Sequence, residues 1–250
     1  MNATQTKGRT LRRIIHILRL LPLLAFSALI LSLAATDGRG SYAKDTVSDG
    51  IAYTTSDSEG RPAALTLAHT PERVLVSYPG ATELLIDLGL SDRIIGTIAP
   101  YGAEPPAYAD AYAALPILAA PYVPSREEVV ALRPDLIIGN QYCFTRNSLG
   151  STDYWNAHGV KTLVNLSSSQ PRRHYIKETV AQEMESIRDY GRIFHAESAA
   201  EHIVQETYDC IDEINEKAQG YPKPRVMLIE LMSTFVSYDK SKLAGNMAEQ

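Results

Sequence analysis

The chain has 250 residues, 45% of them hydrophobic and 21% charged. That balance excludes a disordered polymer and leaves room for one large domain or two small ones. The formal net charge of -5 is not gathered into blocks, and no basic stripe is present to neutralise phosphates, so nucleic acid is set aside as a partner.

The first 35 residues differ in kind from the rest. Lys7, Arg9, Arg12, Arg13 and Arg19 precede an apolar run from Leu20 to Ala35, and Ser32-Leu33-Ala34 supplies the small residues read by a signal peptidase. Residues 1–35 therefore read as a cleaved signal peptide for export to the periplasm. The rival is an uncleaved anchor, but the run is short for a span of about 20 residues and contains Pro22. No Cys follows the run, so a lipid anchor is not expected. An oxidising compartment would allow Cys143 and Cys210 to pair. The sequence puts Cys210 in a helical stretch and Cys143 in a distant loop, and the expectation is two buried free thiols.

Residues 36–70 form a polar linker and a hairpin, with Ser56-Asp57-Ser58-Glu59-Gly60 turning between extended runs Ile51 to Thr55 and Ala64 to Ala68. Residues 71–174 then alternate strand and helix. Strands are expected at Arg73 to Ser77, Arg93 to Ile98, Ile117 to Ala119, Asp135 to Gly139 and Val160 to Leu166. Helices are expected at Thr82 to Leu88, Ser125 to Leu132 and Ser151 to His158. This rhythm implies an α/β fold with a parallel sheet covered on both faces. Residues 175–219 read as almost unbroken helix with a break near His195, suited to a rigid strut between two lobes. Residues 220–250 open with a buried-type strand, Arg225 to Leu231, and read as the start of a second lobe that is truncated here, since one strand cannot build a core.

Ligands in open α/β sheets bind beyond the carboxyl ends of the strands. Tyr78, Tyr101, Tyr122 and Tyr142 follow successive strands, with Gln141 beside the last, and each tyrosine offers an aromatic face and a phenol to a bulky ligand. Tyrosine also suits half-buried strand ends for structural reasons alone. Arg172 and Arg173, after the fifth strand, bring guanidinium groups to the same rim, where an anionic chelate would pair with them. Ser125-Arg126-Glu127-Glu128 has the form of a capping box, which occupies Glu128 and leaves Glu127 over. Phosphate loops, nucleophile elbows and clustered Cys or His pairs are missing from the sequence, so neither enzyme nor metal centre is expected.

The stretch Pro71 to Gln250 resembles the iron-chelate and vitamin B12 class of periplasmic substrate-binding proteins of ABC importers. The resemblance rests on Pro71-Glu72-Arg73-Val74-Leu75-Val76, on Ala81-Thr82-Glu83-Leu84-Leu85, and above all on Ser125-Arg126-Glu127-Glu128-Val129-Val130-Ala131-Leu132-Arg133-Pro134-Asp135-Leu136-Ile137-Ile138. Ile187 to Phe194 and Lys242 to Ala248 also resemble family helices. It implies two Rossmann-like lobes joined by a long helix, a ferric siderophore held between them, and delivery to the membrane permease. It further implies that Glu127 docks on the permease, that the protein is a monomer touching the membrane only through that permease, and that no cofactor is resident. Haem or vitamin B12 (a corrinoid) is the alternative ligand within the class. An α/β chelatase-like enzyme acting through Cys143 or a histidine, and a sensory module that binds only a partner protein, are the readings from other classes.

Overall fold

The computed structural model of the protein describes residues 50–102, 105–165, 177–231 and 235–250. Expectations that fall on residues 1–35, and on Arg172 and Arg173, lie outside the described residues.

The N-terminal hairpin is β1 (Ile51–Ser56) against β2 (Pro62–Leu67), closed by Asp57, whose carboxylate accepts from the Glu59 and Arg61 amides. Four parallel strands follow, β3 (Val74–Ser77), β4 (Ile94–Thr97), β5 (Leu136–Gly139) and β6 (Lys161–Val164), in the order β4-β3-β5-β6. The two central strands, Val-Leu-Val-Ser and Leu-Ile-Ile-Gly, are buried throughout, as a sheet covered on both faces requires. Side chains alternate between the faces. Val74, Val76, Leu136 and Ile138 face α1 (Pro79–Asp87) and α5 (Val180–Phe194), with Leu85, Tyr190 and Phe194 among their neighbours. Leu75 and Ile137 face α3 (Arg126–Leu132) and α4 (Thr152–Ala157), against Val129, Phe144 and Trp155. A short helix α2 (Ala109–Ala114) stands between β4 and α3. Each such fully buried side chain contributes roughly 1.5–3 kcal/mol.

The hairpin seals the open edge of β6. Tyr53 Oη donates to the Thr162 carbonyl at 2.9 Å, and the Val164 amide donates to Thr55 Oγ1 at 2.8 Å. These side-chain bonds satisfy backbone groups that an edge strand would otherwise expose.

Two expectations are corrected here. The strand foreseen at Ile117 to Ala119 shrinks to a single parallel bridge between Thr97 and Ile117. Pro116 and Pro121 flank it and cannot donate to a ladder. The helical block divides near His195, as expected. His195 adopts a left-handed conformation at φ 53°, and α6 (Glu197–Ala218) folds back along α5. Arg188 bonds both Glu201 carboxylate oxygens at 2.7 and 2.9 Å, and a Cβ at Gly191 would lie 2.7 Å from that of Ala200, so only glycine admits this approach. Finally, Cys143 and Cys210 are free as expected, but Cys210 is exposed, on the wall of an open groove that Val180, Glu183 and Met184 of α5 also line.

The C-terminal stretch holds an antiparallel ribbon, β7 (Leu228–Leu231) with β8 (Phe235–Tyr238), and a short helix α7 (Leu243–Met247). The β8 strand was not foreseen. The final helix packs on the start of α5: buried Asn246 accepts from the Val180 amide at 2.9 Å, and Lys242 pairs with Glu178 at 2.7 Å.

Candidate functional site

The carboxyl edge of the sheet gathers three of the four tyrosines. Tyr78 directly follows β3, and its ring folds over Gly80, where a Cβ would meet it at 2.9 Å. Tyr101, in the loop after β4, and Tyr122 stand 5.7 Å apart between ring centroids at 44°, within the range of favourable aromatic pairs. The loop carrying Tyr122 is tied to the sheet by Ser77 Oγ, which donates to the Tyr122 carbonyl at 3.3 Å. Beneath them Cys143, in the turn Gln141–Phe144 after β5, donates its thiol to the Ser77 carbonyl and to Asn140 Oδ1.

Burial, and then the neighbouring Cys143, Tyr78 and Tyr122, hold the Tyr101 hydroxyl above its ordinary range. Burial and then the carboxylates of Glu183 and Glu83 do the same for Tyr78, and burial pushes the Cys143 thiol up. All three groups are therefore neutral near pH 7. Neutral phenols donate hydrogen bonds and present aromatic faces; they are poor direct ligands for a metal ion. Among the described residues no group of three His, Cys, Asp or Glu side chains is gathered as metal ligands. The outer pair is open, Tyr101 at 54% and Tyr122 at 66% exposed, so the platform is ready to be covered.

Gln141 and Tyr142 are placed elsewhere. Gln141 Nε2 donates to the Ser58 carbonyl at 3.3 Å, which ties the turn to the hairpin tip. Tyr142 lines a separate recess of about 660 Å³ together with Arg126, Arg146 and Tyr154. Arg126 is fixed there: it donates to the Arg146 and Ser148 carbonyls at 3.2 and 3.4 Å, and its guanidinium carbon lies 5.9 Å from the centroid of the Tyr154 ring. Gly150 lies beside that guanidinium, and its φ of +88° is a backbone conformation suited to glycine. Sequence reading missed Arg126, Arg146 and Tyr154. The one local signal was Arg126 standing beside Glu127 in the capping box, where it was read as part of a helix start.

The capping box forms as expected. Ser125 Oγ accepts from the Glu128 amide, the Glu128 carboxylate accepts from the Ser125 amide at 2.8 Å, and these bonds hold that carboxyl below its usual range. Glu127, in the same turn, is exposed, and a second concavity lies beside it, running back to Tyr122. Among the described residues no helix is long and apolar enough to cross a membrane.

A family model described as periplasmic binding protein matches residues 74–244. A search of curated proteins finds no match. Among solved structures, a periplasmic binding protein from Veillonella parvula is 27% identical with a TM-score of 0.71, covering 80% of this chain and 63% of that one. An ABC-type Fe3+-hydroxamate transport system from Saccharomonospora viridis is 21% identical with a TM-score of 0.52, over 66% of this chain and 56% of that one. IsdE from S. aureus, complexed with haem, is 17% identical with a TM-score of 0.51, over 71% and 62%. The last two are likenesses of fold. The chain spans less than two thirds of the length of each of the three.

Proposed function

We propose, from the premise that this chain belongs to the periplasmic binding protein family, that it captures a ferric siderophore or similar iron chelate and delivers it to the permease of an ABC importer. The family and its structural neighbours are solute-binding proteins rather than enzymes. The observation that carries the reading is the open Tyr101–Tyr122 pair, backed by Tyr78, at the carboxyl edge of a parallel sheet. Neutral phenols and aromatic faces suit the organic shell of a chelate, which brings its own metal ligands, so no resident cofactor is required. Arg172 and Arg173 are proposed to neutralise an anionic chelate from the loop after β6. Glu127 is proposed to meet an arginine of the permease, since an exposed rim charge guides docking and leaves the ligand site untouched. The basic and apolar N-terminal segment supports export, with residues 1–35 removed and the remainder acting as a monomer in the periplasm.

The test is a panel of ferric hydroxamate and catecholate chelates, haem and a corrinoid, titrated against the protein and against Tyr101→Ala and Tyr122→Ala. Submicromolar binding of at least one iron chelate is expected, weakened about tenfold by either substitution. Absence of binding across the panel by folded protein would overturn the reading. Tight binding of haem or the corrinoid alone would move it to that ligand. Glu127→Ala should leave chelate affinity unchanged while impairing capture by the permease; a loss of affinity equal to the loss of capture would place Glu127 in the ligand site.

A further inference from the structure

We propose that the recess between the hairpin tip and the turn after β5 is a second recognition site, built to receive a planar, anionic aromatic group. This deepens the capture function and rests on it for the source of that group: an aromatic acid or catecholate arm of the chelate, reaching past the tyrosine pair.

Four side chains make the case. Tyr142 is 74% exposed and Tyr154 39% exposed, so two aromatic faces are turned to the solvent of one concavity of about 660 Å³. Exposed aromatic surface is costly to leave bare and is a mark of ligand sites. Two guanidinium groups, Arg126 and Arg146, share the same walls. Arg126 is held rigid by two backbone carbonyls and by the Tyr154 ring. A guanidinium so placed keeps further N–H groups for a carboxylate or catecholate, at little entropic cost on binding. Arg146 is exposed, and its carbonyl rather than its side chain serves Arg126, so its guanidinium is available to the rim. Glu59 also lines the recess and disfavours dianionic groups that reach the hairpin side.

The recess connects to the first site through Arg126, which also lines the concavity that carries Tyr122. A chelate seated on Tyr101 and Tyr122 has a path to it along one wall. Trp155 supplies a built-in reporter. It is the chain's one tryptophan, buried, and meets the Tyr154 ring edge to face at 5.3 Å, so occupation of the recess perturbs its emission.

The probes are metal-free 2,3-dihydroxybenzoate and salicylate, with cyclohexanecarboxylate as the non-aromatic control, titrated against the 250-residue chain and followed through Trp155. Saturable binding of the aromatic acids is expected, weakened at least about tenfold by Arg146→Glu and lowered by Tyr142→Ser. The same charge reversal at Arg225 (Arg225→Glu), which is exposed and does not line the recess, should leave it unchanged. Both recess substitutions lie at exposed side chains, and circular dichroism with thermal melts establishes that they fold. No binding of the aromatic acids, or binding indifferent to Arg146→Glu and Tyr142→Ser, would overturn the proposal. A ferric trihydroxamate titrated in parallel separates the two readings. If it binds through Tyr101 and Tyr122 while the aromatic acids do not bind, the recess fails and the capture function stands. If the aromatic acids bind through Arg146 while no ferric chelate binds, the recess stands and the capture function fails.

Discussion

The parallel sheet and the C-terminal ribbon are both made of short apolar strands, yet their surroundings are opposite. In β5 the residues Leu136, Ile137 and Ile138 are fully buried between helices on both faces. In and beside β7, Val226 is 60%, Met227 77% and Ile229 54% exposed, and among the described residues the strand pairs only with β8. The lesson is that strand sequence sets a preference, whereas burial on both faces supplies the stability. A two-stranded ribbon without a packed face is marginal by itself. The tyrosine pair and the arginine recess stand on loops anchored to the first kind of region, where a rigid sheet can hold them in place.

Hydrogen exchange gives the largest expected contrast. Amides of β3 and β5 should exchange only through global unfolding, slowed by on the order of 10⁴-fold or more for a domain stable by 5–15 kcal/mol. Amides of Leu228–Leu231 should exchange through local opening and be far less protected. Equal protection of the two would break the comparison and show that the ribbon is covered in solution.

Substitution should tell the same story in energy. Ile137→Ala removes a fully buried side chain from the face shared with Val129 and Trp155, and is expected to cost about 2–5 kcal/mol in urea unfolding. Ile229→Ala, on the exposed ribbon, should stay within about 0.5 kcal/mol.

Tyr190 sharpens the picture inside the well-packed region. Its ring is buried where α5 packs on the sheet, but its hydroxyl has no hydrogen-bond partner among the described residues. Burial, then Glu183 and Tyr78, push that hydroxyl well above its ordinary range. Because the folded value is raised, the neutral phenol's contribution is complete below the unfolded value of about 10 and is lost as pH rises beyond it. Tyr190→Phe removes the unpaired group, so it should be neutral or stabilising by about 1 kcal/mol at pH 7 and should flatten the loss of stability at alkaline pH. Destabilisation by this substitution would reveal a partner for the hydroxyl.

These contrasts also mark what sequence could reveal. The runs Val74 to Ser77 and Leu136 to Gly139 are short, apolar and bounded by turn residues, so their strands were legible, as was the capping box at Ser125. The break at His195 was legible too, but not its consequence, because the return of α6 along α5 depends on Gly191 meeting Ala200 and on Arg188 meeting Glu201, contacts between residues distant in sequence. The tyrosines after each strand were legible as residues of the carboxyl edge of the sheet, where the structure places Tyr78, Tyr101 and Tyr122. Only three dimensions could separate Tyr142 from the pair Tyr101 and Tyr122, since both loops leave the same edge and diverge through hydrogen bonds such as Gln141 to Ser58.

The smallest expected effect lies at the start of α3, where local sequence alone builds a stabilising device beside the candidate site. Ser125 Oγ accepts from the Glu128 amide at 3.2 Å, and the Glu128 carboxylate accepts in return from the Ser125 amide and hydroxyl. Ser125→Ala deletes the cap and should cost about 1 kcal/mol at pH 7. The Glu128 carboxyl is held below its usual range by these bonds, so its share of the stabilisation is present above the unfolded value of about 4.3 and is lost as pH falls through the lower folded value. The gap between wild type and Ser125→Ala should therefore narrow in acid, because protonated Glu128 no longer accepts both bonds. A gap independent of pH from 7 down to about 3 would mean that the hydroxyl-to-amide bond acts alone, and that Glu128, like Glu127, belongs to the solvent-facing surface of the helix.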